Sequence, residues 1–320
     1  MTVQIKGLEY EYLDDIKDHN TIRTSFMELI KGSFGFDFSK WYQEGYWTKK
    51  YEPHVLVKEG EVVATVTVNH MKYRYLGIEK NYLQLGGVLT RKEYRKNGLA
   101  RWLMEQIVSR YQADCDQIFL LCNDSAVEFY PKFGFEKSVE YIAEYEWQAK
   151  MKAGIIVKEV PCQVQKLDMD KAEERKVFTR CYHQLNPFSS FPSVDCEELA
   201  LFYAMGFRKD DIYYFSTLGV VVVAQIKEDC MMIEDIYGNI KQEEQEDKME
   251  LLLTIMDGIL RYNNKEGEDI RVQFGFTPIK ELEELKMEPL IEEDDTLYLL
   301  KGKENLFATN QLRFPILSQN

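Results

Sequence analysis

"VLTRKEYRKNGLARWL", residues 88–103, is the stretch on which the reading of the fold turns. An apolar, strand-like run ends at Thr90. Arg91, Lys92, Arg95 and Lys96 then crowd around one acid, Glu93, and Asn97-Gly98 leads into a helix with Leu99, Leu103 and Ile107 on one face. A strand that hands over to a helix through a glycine turn presents unpaired backbone N–H groups at the helix N-terminus. With the helix dipole, these make an anion site. Gly98 lets an anion approach the backbone closely, and Ala100 is small in the same sense. Basic residues at a helix N-terminus oppose the dipole, so a plain helix cap leaves their presence unexplained. The expected ligand is a phosphate or pyrophosphate. Two familiar phosphate loops do not fit: G-x-x-x-x-G-K-[ST] is absent, and R-x-x-G-x-A stands where a dinucleotide fingerprint has G-x-G-x-x-G.

Working outward, hydrophobic periodicity predicts strand, helix and short helix before residue 50, and a set of strands across "HVLVKEGEVVATVTVNHMKYRYLG" and "YLQLGGVLT". After the helix come a buried strand "QIFLLCN", a short helix "SAVEFYPKF" and a strand "FEKSVEYIAEYEW". The order is β-α-α-β-β-β-α-β-α-β. The second half repeats it, with helices over 171–184, 196–205 and 249–262, a short helix "KELEEL" and a last strand "TLYLLKGK". We divide the chain near residue 150, at a polar junction over 150–154 with no Pro/Ser/Gly-rich linker.

The formal charge is −14, and nearly all of the excess acid lies after residue 150. A basic face for phosphate neutralisation is lacking, so no nucleic-acid partner is expected, and no adhesion to an anionic membrane. The N-terminus lacks a signal-peptide pattern, and the longest aliphatic run, residues 219–224, is far too short to span a bilayer. The six cysteines are scattered without a C-x-x-C pair. Free thiols, no metal and a cytoplasmic location are the expectation.

A second motif stands downstream, "NDSAVEFYPKFGF", residues 123–135. Together, V-x-T-x-x-x-x-R-x-x-G-x-A and N-x-x-A-x-x-F-Y-x-x-x-G-F resemble, in order and separation, the two signature motifs of the GNAT superfamily of N-acetyltransferases. The resemblance covers roughly residues 3–147 and reaches the second half by element order only. It implies an α+β (mixed α/β) fold of two GNAT-like domains, each a mostly antiparallel twisted sheet flanked by helices. Residues 1–150 would bind acetyl-CoA and catalyse, and 151–320 would be a degenerate copy. On this resemblance, Gly87, Val88 and Leu89 would pair with the pantetheine arm. Arg95, Lys96, Asn97, Gly98, Leu99 and Ala100 would wrap the pyrophosphate, with Arg101 nearby. Asn123 would contact the pantetheine and Phe129 would line the thioester channel. Tyr130 occupies the general-acid position, and a phenol with a pKa of about 10 can protonate a departing thiolate. The N–H of Leu89 or a neighbour would bind the developing oxyanion.

The base and the acceptor are less legible. The strand before the turn, "YLQLGGVLT", carries no acid. Asp37 and Glu44, within "GFDFSKWYQEGYW", are candidates for meeting a cationic amine, though a solvated charge is the simpler reading of each. Water is the remaining proton acceptor. The apolar tail "QLRFPILSQN" resembles that of the multidomain aminoglycoside acetyltransferases of intracellular-survival type, whose terminal carboxylate lies in the active site. Asn320 is therefore a catalytic candidate, and loss of the last four residues is expected to lower turnover sharply while leaving the fold intact. At the equivalent turn the second half reads "GNIKQEEQEDK", where Glu243, Glu244, Glu246 and Asp247 would repel a pyrophosphate. That half is expected to pack, to extend the acceptor cleft and to support a homodimer. Its acidity serves solubility or attracts a cationic acceptor. The competing classes are an acyl-CoA-responsive binding protein without turnover and a transferase of longer acyl groups.

Overall fold

The computed structural model describes residues 1–149, 163–240, 247–291 and 294–319. In chain order the first half runs β1 (Thr2–Ile5), β2 (Leu8–Leu13), α1 (Asn20–Phe34), α2 (Ser39–Gln43), β3 (Tyr51–Lys58), β4 (Glu61–Tyr75), β5 (Ile78–Thr90), α3 (Leu99–Tyr111), β6 (Gln117–Cys122), β7 (Phe135–Lys137) and β8 (Tyr141–Trp147). The second runs β9 (Val164–Lys166), α4 (Ala172–Tyr182), α5 (Glu197–Met205), β10 (Ile212–Phe215), β11 (Val220–Lys227), β12 (Cys230–Gly238), α6 (Lys248–Tyr262), β13 (Ile270–Phe274), β14 (Lys286–Pro289), β15 (Thr296–Leu300) and α7 (Leu306–Asn310). The strands form two mostly antiparallel sheets, ordered β1-β2-β3-β4-β5-β6-β15-β7 and β14-β8-β13-β12-β11-β10-β9. This is the expected mixed α/β architecture.

The sheets do not follow the division of the chain at residue 150. β15, from the second half, lies between β6 and β7 of the first sheet, while β8, from the first half, lies between β13 and β14 of the second. Each half thus closes its sheet with a strand from the other, so the backbone groups of β6 and β13 are paired only in the whole chain. Three local expectations are corrected. "VQIKGLEYEY" is a hairpin, turned at Lys6 and Gly7, both with positive φ. "SAVEFYPKF" forms two 3₁₀ turns, Asp124–Ala126 and Tyr130–Phe133, where Pro131 cannot donate to a continuing α-helix. "KELEEL" is not helical, and Leu282 and Leu285 reach the core from turns. The junction over 150–154 and Glu243, Glu244 and Glu246 lie outside the described residues.

Side-chain alternation gives the first sheet two faces. Leu83 and Leu85 of β5 pack with Leu99, Leu103, Met104 and Ile107 of α3 on one face. Val55 and Val57 of β3 pack with Phe26, Leu29 and Ile30 of α1 and Trp41 of α2 on the other. The far end of α3 is pinned by a polar network under the first of these faces. Tyr111 donates to Glu52 Oε1 at 2.7 Å, His70 Nε2 lies 3.0 Å from Glu52 Oε2, and Tyr12 Oη lies 2.6 Å from Nδ1 of the fully buried His54. Arg110 pairs with Asp14.

Burial alone would raise the Glu52 pKa. Hydrogen bonding to His54, His70 and Tyr111 outweighs burial and holds the carboxyl well below the usual carboxylate range. A depressed carboxylate pKa stabilises the folded state above the unfolded value of about 4.3, and that contribution is lost as pH falls through the folded value. Glu52→Gln is therefore expected to destabilise the protein at pH 7 by about 1–3 kcal/mol and to make its stability less sensitive to pH below about 4. Urea melts across that pH range check both parts.

The C-terminal segment threads between the halves. Tyr141 N donates to Leu312 O, Phe314 N to Glu140 Oε1 at 2.7 Å, Arg313 N to Thr277 Oγ1 at 2.7 Å, and Ile316 N to Gly275 O at 3.0 Å. Phe314 stacks on Phe119 of β6 with ring centroids 3.9 Å apart, and Tyr73 donates to Ser318 O at 3.1 Å. Asn320 lies outside the described residues.

Candidate active site

β5 and β6 run parallel and pair only at Tyr82↔Gln117, Leu83↔Ile118 and Gln84↔Phe119, after which they separate. On its other side β5 stays paired with β4, with a register shift between Thr65 and Thr67. The shift coincides with Gly87 at φ +53°. A Cβ there would stand 3.1 Å from Thr67 Cγ2, so both backbone and space call for glycine. Beyond Gln84, the edge of β5 facing β6, including Gly87, Val88 and Leu89, is left open to an extended ligand backbone.

At the end of β5, Arg91 turns inward, donating to Val62 O at 2.7 Å and to Ser25 Oγ at 3.3 Å. It braces the turn from within. Arg95 and Lys96 stay exposed. Lys96 takes φ +66° and Gly98 φ +83°, and α3 then starts without a side-chain cap and without an acid in its first turn. Its first N–H groups therefore face solvent beside the cations. Leu99 is buried in the core and offers only its backbone, while Asn97, Gly98 and Ala100 are half-buried at the turn. Arg101 pairs with Glu105 at 3.7 Å and lies over the Phe133 ring, one turn into the helix. Sequence reading missed Lys6. Its ammonium donates to Lys96 O at 2.9 Å, and its Cε lies 3.7 Å from where a Cβ on Gly98 would be. Three cations, Lys6, Arg95 and Lys96, thus meet at an uncapped helix start.

Across the split, Asn123 is exposed just past β6, with Oδ1 accepting from Ser125 Oγ at 2.7 Å. Phe129 is half-buried, its ring 5.3 Å from Tyr130 and 4.9 Å from Phe133. Tyr130 is 6% exposed, and its hydroxyl has no hydrogen-bond partner among the described residues. Burial, and then the neighbouring Cys122, push its pKa well above the free-phenol range, so it stays protonated at neutral pH. Cys122 is itself raised to about 11 by burial and Asp124. Tyr298 of β15 stands 6.1 Å from the Tyr130 ring, a neighbour supplied by strand exchange.

Asp37 and Glu44 already have partners. Asp37 accepts from Ser39 N at 3.0 Å and from Lys31 at 3.1 Å, which together hold its pKa down. Glu44 pairs with Arg175 of α4 at 2.9 Å and ties the two halves together. The face of the split opposite α3 carries a neutral polar row instead. Tyr51, Asn69, Gln84 and Phe119 are register neighbours across four strands. Thr65 Oγ1 and Asn69 Nδ2 are buried there without a hydrogen-bond partner among the described residues.

A parallel pair that opens beyond a glycine bulge, beside a basic turn at a helix start, has the shape expected of an acyl-CoA cleft. Residues 23–135 match the Acetyltransferase (GNAT) family. Residues 23–135 are thus a GNAT-type acetyltransferase domain by this match. No curated protein sequence matches the chain. Among solved structures, a conserved protein of Enterococcus faecalis V583 described as a probable N-acyltransferase superposes with a TM-score of 0.57 at 13% identity, over 91% of this chain and 71% of that one. A GCN5-related N-acetyltransferase from Kribbella flavida gives 0.54 at 13% identity, over 91% and 70%. Eis1 from Mycobacterium abscessus gives 0.52 at 11% identity, over 90% and 72%. At these identities the likeness is one of fold, and it extends over about nine-tenths of this chain. Among the described residues no helix is long and apolar enough to cross a membrane.

The second sheet repeats the split. β12 and β13 pair from Cys230↔Arg271 to Ile233↔Phe274 and then part. There the opening is filled by the chain itself: a Cβ on Gly275 would stand 2.7 Å from Ile316 Cδ1, and Ile316 N donates to Gly275 O. Asp235, fully buried beside this opening, accepts from Asn186 Nδ2 at 2.6 Å, and burial raises its pKa to about 7. Asp247 caps α6 through Met249 N.

Proposed function

We propose that the protein is an N-acetyltransferase that moves the acetyl group of acetyl-CoA to a primary amine by direct transfer. The observation that carries this reading is Tyr130, its ring buried and its hydroxyl without a hydrogen-bond partner among the described residues, beside a split whose other end is an uncapped, cation-rich helix start. Acetyl-CoA would supply a thioester carbonyl. Lys6, Arg95, Lys96 and the N–H groups from Asn97 to Ala100 would hold its pyrophosphate. The open edge of β5 at Gly87, Val88 and Leu89 would pair with its amide arm, with Asn123 and Phe129 on the opposite wall. As the amine bonds to the carbonyl carbon, a β5 N–H stabilises the oxyanion. As the C–S bond breaks, Tyr130 gives its proton to the sulfur and regains one shed by the new ammonium through water. The neutral row with Thr65 and Asn69 supports water as the carrier, since β5 supplies no carboxylate there.

The terminal carboxylate of Asn320 is a second candidate acceptor of that proton. In support, residues 312–318 run beneath the split against Phe119 and Tyr73. The four-residue deletion expected from sequence to spare the fold does not isolate this role. Leu317 is fully buried with Ala200, Leu201 and Tyr237, and its loss costs about 2–5 kcal/mol. Adding glycines after Asn320 moves the carboxylate and leaves that packing, and the hydrogen bonds of Gln319, intact. The expected result is a kcat at least about tenfold lower at an unchanged melting temperature, and unchanged turnover removes Asn320 from the mechanism.

We propose further that the second half binds no CoA, because its own tail fills the corresponding opening and an acid starts its helix. Titration calorimetry with acetyl-CoA tests both statements. One site per chain is expected. Two sites would refute the assignment of the second half, and none would refute acetyl transfer itself.

A further inference from the structure

An aromatic array runs from solvent into the seam between the halves, and neither the fold nor the cofactor cleft accounts for its outer rings. Phe34, at the end of α1, is 51% exposed, and Phe207, after α5, is 47% exposed. Phe36 lies between them, stacked 5.8 Å from Phe34 and edge-on to Phe207 at 5.6 Å. Phe202 continues the array inward to the buried Phe38 at 5.3 Å. Phe rings left half in water forgo much of the stabilisation that burial gives. The two halves nonetheless bring three of them together at one point.

The position of the array relates it to the chemistry. Ile30 is the α1 residue that approaches Gly87, 3.7 Å from where a Cβ there would be. Phe34 follows one helical turn later on the same face of α1. The array is therefore a lip that begins one turn beyond the bulge where the transferred group would sit. It lies on the α1 face of the sheet, opposite α3 and the phosphate turn.

We propose that Phe34, Phe36 and Phe207 determine acceptor specificity, and that the acceptor is a primary amine carried on an aromatic body, which the lip holds while the amine points toward Gly87. This rests on the acetyltransferase reading above. It differs from what net charge alone favours, since the two acids that the sequence offers for a cationic amine, Asp37 and Glu44, are already paired. Planar apolar groups gain most from such rings, in edge-to-face or offset contact.

The test is steady-state kinetics with 2-phenylethylamine, ethanolamine and putrescine at saturating acetyl-CoA. For the native protein, kcat/KM for 2-phenylethylamine should exceed that for either polar amine by on the order of tenfold. In the double variant Phe34→Ser/Phe207→Ser, the KM for 2-phenylethylamine should rise on the order of tenfold, with kcat and the KM for acetyl-CoA within about twofold. Phe34→Leu/Phe207→Leu should recover only part of the loss. Both positions are exposed, so the variants should fold, and a melting curve verifies it. Preference for putrescine or ethanolamine overturns the lip while leaving acetyl transfer standing. So does an unmoved KM in the serine variant, or a change in oligomeric state as that variant's sole effect. Failure of all three amines despite acetyl-CoA binding overturns the lip, and turnover with another amine class would then preserve the acetyltransferase reading.

Discussion

Arg95→Glu is expected to weaken acetyl-CoA binding by on the order of 100-fold or more, the largest effect on affinity that the site offers a single side chain. The exchange removes one charge-assisted hydrogen bond and sets a carboxylate against a pyrophosphate at the start of α3, lowering the local charge of Lys6, residue 95 and Lys96 by two. The fold should hardly notice. Arg95 is exposed, and its one hydrogen bond, from Nε to Thr90 O at 3.2 Å, lies at the surface. A stability change within about 0.5 kcal/mol is expected, in line with surface substitutions generally. Calorimetry and a urea melt on the same preparation separate the two effects. Binding at native affinity would return the basic turn to the status of a helix start that merely tolerates its charges. The neighbouring Arg91 makes a poor comparison, because its guanidinium holds Val62 O and Ser25 and its loss would move the turn itself.

Tyr130→Phe carries the second large effect, on rate instead of affinity. Removing a positioned general acid costs on the order of 10²-fold in kcat or more. The acetyl-CoA affinity should stay within about twofold, because the ring is kept and only the hydroxyl is lost. Stability should change by no more than about 0.5 kcal/mol, since that hydroxyl has no protein partner among the described residues to lose. The pH profile adds a readout that packing would not move. Burial keeps Tyr130 protonated beyond the free-phenol range. The native enzyme should therefore hold its activity up to about pH 10, where an ordinary phenol ionises. Full kcat in the phenylalanine variant would assign proton delivery to another group.

The two motif segments were readable from residue order because the chemistry they encode is local. Gly98 at positive φ, the basic turn and the Leu99–Leu103–Ile107 stripe all lie within one strand–turn–helix unit. The exchange of β8 and β15 was not readable, because "YIAEYEW" and "TLYLL" have a strand pattern that fits an open position in either sheet. Pairing across the molecule, not propensity, chooses between them. Lys6 escaped notice for the same reason: its contact with Lys96 spans ninety residues and depends on the β1–β2 turn. "KELEEL" has helical spacing but extends barely beyond one turn, too little to offset the cost of starting a helix. Leu282 and Leu285 reach the core without one. The partners of Asp37 and Glu44 likewise became visible only with the fold, since Glu44 meets Arg175 from the other half.

The strand exchange also bears on why a tandem chain would keep a second half that carries no basic turn. Tyr298 beside Tyr130, Phe207 in the aromatic lip and the segment beneath the split all come from beyond residue 150. On the proposed reading, the second half would complete the walls of the first half's site. The most direct test of the whole account is a product assay with purified full-length protein, acetyl-CoA and 2-phenylethylamine or another primary amine, following both free CoA thiol and acetylated amine. Acetyl transfer predicts that the two accumulate in equal amounts, at a rate that Tyr130→Phe suppresses. Acetyl-CoA bound at one site, with thiol released no faster than without protein across a broad panel of amines, would contradict it and identify a binding protein instead.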